Sequence, residues 1–282
     1  VTNNCDKDTF LQNTPHGARF MYSAYSAFSS KDTIDFFEGL GVPLKTERGN
    51  RVFPVSDKAV DIVDALVFAI NKYDVKLVNA TVQRLCAENG HIQSVTLENG
   101  QTHFFDKVIL ATGGLSYPGT GSTGDGYILA EKTGHTIIEP KPSLVPLEVH
   151  EGWCSSVMGL SLRNIAIRVE DNEKYKCVYK DFGEMLFTHF GVSGPTVLSA
   201  SAHMKGSCRL IIDLKPALDE QMLDKRLLSD FEKHANSDFC NALNDLLPQK
   251  LIPVLVELTG IPEHQKVHDI TREQRRELLR LL

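Results

Sequence analysis

Apolar residues in the first quarter of the chain recur three and four residues apart, as they do on one face of a helix. The positions that predict one such helix are Ala59, Val63, Leu66, Val67 and Ile70. Ser56 is expected to cap this helix, and its apolar side is expected to be buried. The segment 30–40 predicts a shorter helix, which Gly41 is expected to end.

Between residues 75 and 112 the pattern becomes that of β-strands. Asn89-Gly90 and Asn99-Gly100 are two-residue hairpin signals between β-rich runs, so an antiparallel meander is predicted. The segment 108–111, Val-Ile-Leu-Ala, is apolar on both faces, as a buried strand of a parallel sheet is. This half of the chain is therefore predicted to be α/β.

The pattern changes again after Pro146. Alternating polar and apolar residues predict strands at 164–170, 176–179 and 210–214. From residue 217 onward helical spacing dominates, ending in the segment 271–282 that Thr271 is expected to cap. We expect three parts, residues 1–142, 143–215 and 216–282, with the proline-rich segment 141–146 as a hinge after the first.

Composition narrows the class of protein. The chain has 282 residues, of which 42% are hydrophobic and 23% charged, as in a globular protein of two domains. A net charge of −6 disfavours general binding to nucleic acid. No apolar run reaches membrane-spanning length, and no signal peptide is expected. Six scattered cysteines without metal-binding spacing predict a reducing cytoplasm, free thiols and no metal site.

Residues 108–146 hold seven of the 20 glycines. The first six of them are Gly113, Gly114, Gly119, Gly121, Gly124 and Gly126. Glycine permits positive φ and the close approach of backbone N–H groups to a ligand. Asp125 is expected at the start of a helix, where a side-chain oxygen caps free amides or a ligand meets the helix dipole. The segment predicts an anion or cofactor cradle; the alternative is a surface loop with turn glycines.

Gly119, Gly121 and Gly124 also satisfy the spacing G-x-G-x-x-G, and Glu139 follows twenty residues after the first of them. This is the spacing of a dinucleotide-binding fingerprint. In such a fingerprint the strand runs straight into the first glycine, whereas residues 113–118 intervene here. Nicotinamide binding at this loop is therefore the weaker interpretation.

Three blocks of this sequence, in the same order, resemble a family of FAD-dependent oxidoreductases, the BaiN-type, aminoacetone-oxidase-like flavoproteins. The blocks are GVPLKTERGNRVFPVSDKA, VILATGGLSYPGTGSTGDGYILAEKTGHTI and GEMLFTHFGVSGPTVL. The resemblance implies a partial FAD/NAD(P)-binding Rossmann-like domain with an inserted β-barrel and helical domain. It also implies that the chain is an internal piece, without the family's N-terminal G-x-G-x-x-G and C-terminal FAD-covering block.

The resemblance further implies which residues meet FAD. Val82 matches a strand residue whose backbone meets the adenine end; the alternative is an ordinary core valine. Ala111, Thr112 and Gly113, followed by Gly114, match the turn where the chain passes close to the cofactor. Arg48 belongs to a block near the flavin, although it is equally explained as a solvated charge.

Catalytic side chains are sparse, which fits chemistry done by a flavin while the protein supplies orientation and electrostatics. Tyr117 and His189 are the candidate proton donors, because a phenol or an imidazole could protonate a substrate as hydride is added. A structural histidine is the alternative for His189. The segment 191–195 is expected to be a tight turn.

Two functions remain open from the sequence. The first is a cytoplasmic FAD-dependent oxidoreductase that acts on a small organic molecule, with NAD(P)H or the substrate as electron donor and without nucleic acid or membrane as partner. The second is a non-catalytic fragment that serves as a binding or structural module. The substrate and the oligomeric state are not determined by the residues.

Overall fold

Two units make up the chain, unit 1 (Val1–Pro140) and unit 2 (Lys141–Leu282). The computed structural model describes residues 1–282. The predicted boundary at residues 142 and 143 lies close to this division, whereas the further division at 215 and 216 stays a prediction. No helix has both the length and the apolar character needed to cross a membrane.

Unit 1 combines short helices with two small antiparallel sheets, ordered β1-β3-β2 and β4-β5-β6. Its elements are β1 (Thr2–Asn3), α1 (Lys7–Gln12), α2 (Ala18–Ala27), α3 (Ser30–Gly39), β2 (Leu44–Glu47), β3 (Arg51–Pro54), α4 (Ala59–Lys72), β4 (Val82–Glu88), β5 (His91–Leu97), β6 (Thr102–Phe104) and α5 (Asp125–Lys132).

The predicted helix at 30–40 and the predicted meander are both confirmed. Ser29 and Asp32 form a reciprocal capping box at the start of α3, and Gly41, with φ of 86°, follows its end. Asn89 and Gly90 both have positive φ, 54° and 79°, as a two-residue turn between β4 and β5 requires. Local turn chemistry was sufficient to predict these elements.

The strand predicted at 108–111 is wrong, because these residues form no strand and Ile109 is 91% exposed. A parallel strand needs a hydrogen-bonded neighbour on each side, and no strand of the chain pairs with this segment. The helix α4 forms, but Lys58 rather than Ser56 is its N-cap. Its predicted buried side is also wrong, since of α4 only Ala65 is buried and Val63 is 54% exposed.

Unit 2 contains a five-stranded antiparallel sheet, ordered β11-β8-β9-β10-β7, and helices that pack on one face of it. Its elements are β7 (Leu147–Glu148), β8 (Ser161–Asp171), β9 (Cys177–Phe187), β10 (Gly191–Ser193), α6 (Pro195–Ser201), β11 (Cys208–Asp213), α7 (Glu220–Lys233), α8 (Phe239–Ala242), α9 (Ile252–Thr259) and α10 (Arg272–Leu281).

Strands and helices of unit 2 share one hydrophobic core. Val169 from the sheet and Leu227, Phe239 and Leu278 from the helices are fully buried in it. The backbone N–H of Leu214, just after β11, donates to the carbonyl of Leu282 at 2.9 Å, so the end of the chain is bonded to the end of a strand. The predicted cap is confirmed, since Thr271 and Gln274 form a capping box on α10.

The tight turn predicted at 191–195 is wrong. Gly191 to Ser193 form β10, and Pro195 opens α6, a position where its fixed φ suits a helix. Gly194 joins them with φ of 98° and ψ of 168°, a conformation that is essentially restricted to glycine. The glycine therefore serves a strand-to-helix junction.

Candidate functional site

The glycine-rich segment folds back on itself at the start of α5. A 3₁₀ turn (Pro118–Thr120) forms its far end, and Gly121 and Gly124 follow with φ of 94° and 85°. Gly124 is the N-cap of α5 and Asp125 is the first residue of the helix. The predicted loop and helix therefore form, although the strand expected before them does not.

Three glycines let residues 112–115 lie directly on residues 122–126. A Cβ built on Gly113 would lie 2.7 Å from Ser122 Oγ, and one built on Gly124 would lie 2.5 Å from Leu115 Cδ2. A Cβ on Gly126 would overlap Thr112 Oγ1. These glycines have a packing role that the sequence did not indicate.

Several backbone N–H groups of this loop have no protein acceptor. Those of Gly113 and Gly114 are not hydrogen-bonded within the protein, and neither are those of Asp125 and Gly126 in the first turn of α5. The Asp125 carboxylate accepts a hydrogen bond from Thr123 Oγ1 at 3.1 Å. Free amides on a glycine loop and on a helix N-terminus together suit a ligand with hydrogen-bond acceptors.

Val82 lies near the glycine loop because β4 packs against α5. It is the first residue of β4, which lies at the edge of its sheet and packs against α5. The backbone groups on the outer side of an edge strand have no strand partner. A strand edge and a loop of free amides are therefore neighbours in unit 1.

Arg48 lies in the turn between β2 and β3 and is exposed. The turn is fixed by the N-terminal segment, because Asn3 Nδ2 donates to the Gly49 carbonyl at 2.9 Å and the Asn4 N–H donates to the Asn50 carbonyl at 2.7 Å. The structure gives no contact between Arg48 and the glycine loop. Its predicted place near the flavin stays a prediction.

The two candidate proton donors lie in different units. Tyr117 is 73% exposed in unit 1, and its carbonyl accepts from Thr120 Oγ1 at 2.9 Å. His189 is exposed in unit 2, between β9 and β10, with its ring edge-on to Phe190 at 4.9 Å between centroids. Their catalytic roles stay predictions.

Sequence reasoning missed Ser122 and Leu115, which fill the space over Gly113 and Gly124. It assigned Thr112 to the cofactor turn and did not predict its packing against Gly126. No motif marked the first two side chains, because only the folded loop places them there. The G-x-G-x-x-G spacing at Gly119, Gly121 and Gly124 also lacks the strand that a dinucleotide fingerprint requires before its first glycine. Gly119 lies inside a 3₁₀ turn rather than at the end of a strand.

Unit 1 thus places a glycine loop and a helix N-terminus beside an edge strand, and unit 2 is a sheet-and-helix domain. The profile of the HI0933-like protein Rossmann domain matches residues 1–207. The profile of the HI0933-like protein barrel and H2TH domain matches residues 141–282. The chain belongs to the HI0933-like family, and the resemblance to BaiN-type flavoproteins is confirmed.

Three curated relatives are similar over nearly the whole chain. A 3-dehydro-bile acid delta(4,6)-reductase of Clostridium scindens is 28% identical over 93% of this chain and 64% of the relative. Ribosomal RNA dihydrouridine synthases of Escherichia coli and Haemophilus influenzae are 30% and 28% identical, over 90% and 93% of this chain and 60% and 63% of their own lengths. The chain thus spans less than two thirds of the length of these relatives.

The packing of the loop predicts the effect of one substitution. Gly126→Val is expected to push Thr112 away and release residues 112–115 from α5. Limited proteolysis within residues 108–117 should then become faster than in the unchanged protein. Gly119→Ala is the control, because nothing lies within 4 Å of a Cβ at that position. Equal cleavage rates in both variants would contradict the packing role of Gly126.

Proposed function

We propose that this chain is the cofactor-contacting part of an FAD-dependent oxidoreductase that reduces an organic substrate. Membership in the HI0933-like family supports this proposal, together with the loop of free amides at residues 113–126. The loop is the observation that carries it. The alternative, a surface loop with turn glycines, accounts for the positive φ values of the glycines. It gives no role to the four backbone N–H groups that lack a protein acceptor on the two packed segments.

The residues of unit 1 fit part of such a cofactor. The N–H groups of Gly113, Gly114 and Asp125 would hold acceptor atoms of the cofactor, and the free edge of β4 at Val82 would meet the adenine. Gly121 contributes its positive φ, which turns the chain back toward α5. Bound FAD supplies hydride transfer, and NAD(P)H is the proposed source of the electrons.

The remaining chemical requirement is a proton. Hydride addition to a carbon–carbon double bond leaves negative charge on the substrate, which a positioned acid must neutralise. Tyr117 Oη is the proposed donor in unit 1, because its phenol is exposed beside the glycine loop. His189 Nε2 or Nδ1, in unit 2, is the alternative donor, because its imidazole is exposed as well.

For the substrate, the names of the relatives support reduction of carbon–carbon double bonds. One names a delta(4,6)-reductase of a bile acid, and two name synthesis of dihydrouridine in ribosomal RNA. A small organic molecule with such a bond is the first proposed substrate. RNA is the second candidate, since a relative that is 30% identical is named for it.

The test is the visible spectrum of the purified chain after incubation with excess FAD and removal of free cofactor. We expect a retained flavin band, and a weaker one in Gly113→Val, because that side chain would collide with Ser122. Gly119→Ala should retain as much flavin as the unchanged chain. A folded but colourless chain would favour the alternative, a non-catalytic binding or structural module.

A further inference from the structure

A concave apolar hollow of about 170 Å³ lies in unit 2, between its sheet and its helices. Ten side chains line it, all of them apolar and seven of them leucines. They come from β8, β9 and β11, from α9 and α10, and from segments that connect these elements. The indole N–H of Trp153 is the one side-chain polar group in this lining, and no lining residue is charged. We call it the Trp153 hollow.

The Trp153 hollow has a buried floor and an open mouth. Leu162, Phe187 and Leu255 are at most 4% exposed, whereas Trp153 is half-buried and Leu258 is 43% exposed. A water molecule at the floor would lack the two to four polar partners that it needs. An engineered apolar cavity of about 150 Å³ in another protein stays dry and binds benzene. The size and lining of this hollow therefore suit an apolar ligand of one ring.

Hydrogen bonds hold the walls of the hollow together on two sides. Lys250 Nζ, just before α9, donates to the Met158 carbonyl at 3.1 Å, which ties this helix to the segment that contains Trp153. The bond from the Leu214 N–H to the Leu282 carbonyl joins the end of β11 to the end of α10. Binding sites for small molecules are usually formed before the ligand arrives. The hollow meets this condition.

Two aromatic rings favour an aromatic ligand. The rings of Trp153 and Phe187 both line the hollow, with their centroids 5.7 Å apart and their planes tilted by 58°. Aromatic rings attract one another in tilted or offset arrangements at centroid distances of about 4.5–7 Å. A third ring in the hollow would extend this pair, while the leucines would contact its remaining surface. A charged ligand would be desolvated without a partner.

We propose that the Trp153 hollow binds a small uncharged molecule with one aromatic ring. Benzene and toluene have the appropriate size and lack the charge that this lining would exclude. Concave apolar surface that remains open to water is typical of ligand-binding grooves. The hollow lies within unit 2, and the proposal does not depend on FAD binding by unit 1.

The test uses the fluorescence of Trp153, the single tryptophan of the chain. The full chain without added FAD is titrated with iodobenzene, whose iodine atom quenches tryptophan fluorescence on contact. We expect saturable quenching with a Kd of about 0.5 mM or lower, reversed by toluene as competitor. Iodide ion should quench without saturation, because the hollow excludes charge. Quenching by iodobenzene that does not saturate would overturn the proposal.

Two variants with the same change distinguish the hollow from the rest of the sheet. Ile212→Phe fills the hollow and is expected to weaken iodobenzene binding about tenfold or more, because the new ring occupies the space of the ligand. Ile211→Phe is the control, since successive side chains of β11 point to opposite faces, and it should change binding less than twofold. Equal losses in the two variants would contradict the proposed site.

A second pair of variants changes only exposed side chains, so both are expected to fold, which circular dichroism checks. Leu258→Asp places a carboxylate at the mouth and is expected to weaken binding about tenfold. Leu228→Asp on α7, where the leucine is 40% exposed and does not line the hollow, should change it less than twofold.

Sedimentation of the same two variants tests a second copy of the chain as the occupant. A dimer that Leu258→Asp dissociates and Leu228→Asp does not would overturn the proposal. Saturable quenching in a chain that retains no FAD would support this proposal and contradict only the proposed oxidoreductase function.

Discussion

Residues 141–282 produced alone are expected to fold and to unfold in one cooperative transition, whereas residues 1–140 produced alone are expected to show none. The two units are nearly equal in length, but seven buried hydrophobic residues lie in unit 1 and 27 in unit 2. Burial of apolar surface is the dominant favourable term in folding. Unit 2 is therefore expected to have a free energy of unfolding of about 5 kcal/mol or more.

Large apolar side chains of unit 1 are also exposed, which disfavours cooperative folding of this unit alone. Phe20, Phe104, Ile109 and Ile138 are each at least 79% exposed. The measurement is urea denaturation of each piece, followed by circular dichroism. A non-cooperative loss of signal in residues 141–282, or a cooperative transition in residues 1–140, would contradict the expectation.

Gly194→Ala is expected to destabilise unit 2 by about 3 kcal/mol or more. The backbone of Gly194 is strained for any other residue, which costs of order 1–3 kcal/mol. A Cβ there would also lie 2.8 Å from Met185 Cα and 3.0 Å from the Leu186 nitrogen, and overpacking against backbone adds about 1–3 kcal/mol. The measurement is the urea midpoint of unit 2.

Gly206→Ala is the control that measures the cost of backbone strain without a steric clash. Gly206 also has positive φ, 78°, but nothing lies within 4 Å of a Cβ at that position. Its substitution should therefore cost about 1 kcal/mol, from the backbone conformation alone. Similar losses in Gly194→Ala and Gly206→Ala would show that the contact with β9 is unimportant.

Part of the candidate site could be predicted from the sequence. The density of glycines between residues 113 and 126 identified the loop, and Asp125 was expected at the start of a helix, where it lies. The strand before the loop was predicted wrongly, because an apolar run forms a strand only where another strand pairs with it. The contacts of Gly113 with Ser122 and of Gly126 with Thr112 depend on two segments that meet only after folding.

The pairing of β8 with β9 illustrates the same limit. Arg168 and Lys180 are twelve positions apart in a mildly acidic chain, and no spacing rule joins them. Only the antiparallel register of β8 and β9 makes them opposite neighbours. Phe182 is one of 14 phenylalanines, and its exposure could not be read from its neighbours in the sequence.

The sequence by itself determined the elements whose cause is local: the hairpin turn at Asn89-Gly90, the helix α3 that Gly41 follows, and the helix α10 with its Thr271 cap. Turn and cap energies come from residues a few positions apart, so a linear pattern contains them. The tertiary structure alone decided the sheet order β11-β8-β9-β10-β7, the exposure of α4 and the packing of residues 112–115 on residues 122–126. Burial and pairing depend on residues far apart in the chain, which no local pattern specifies.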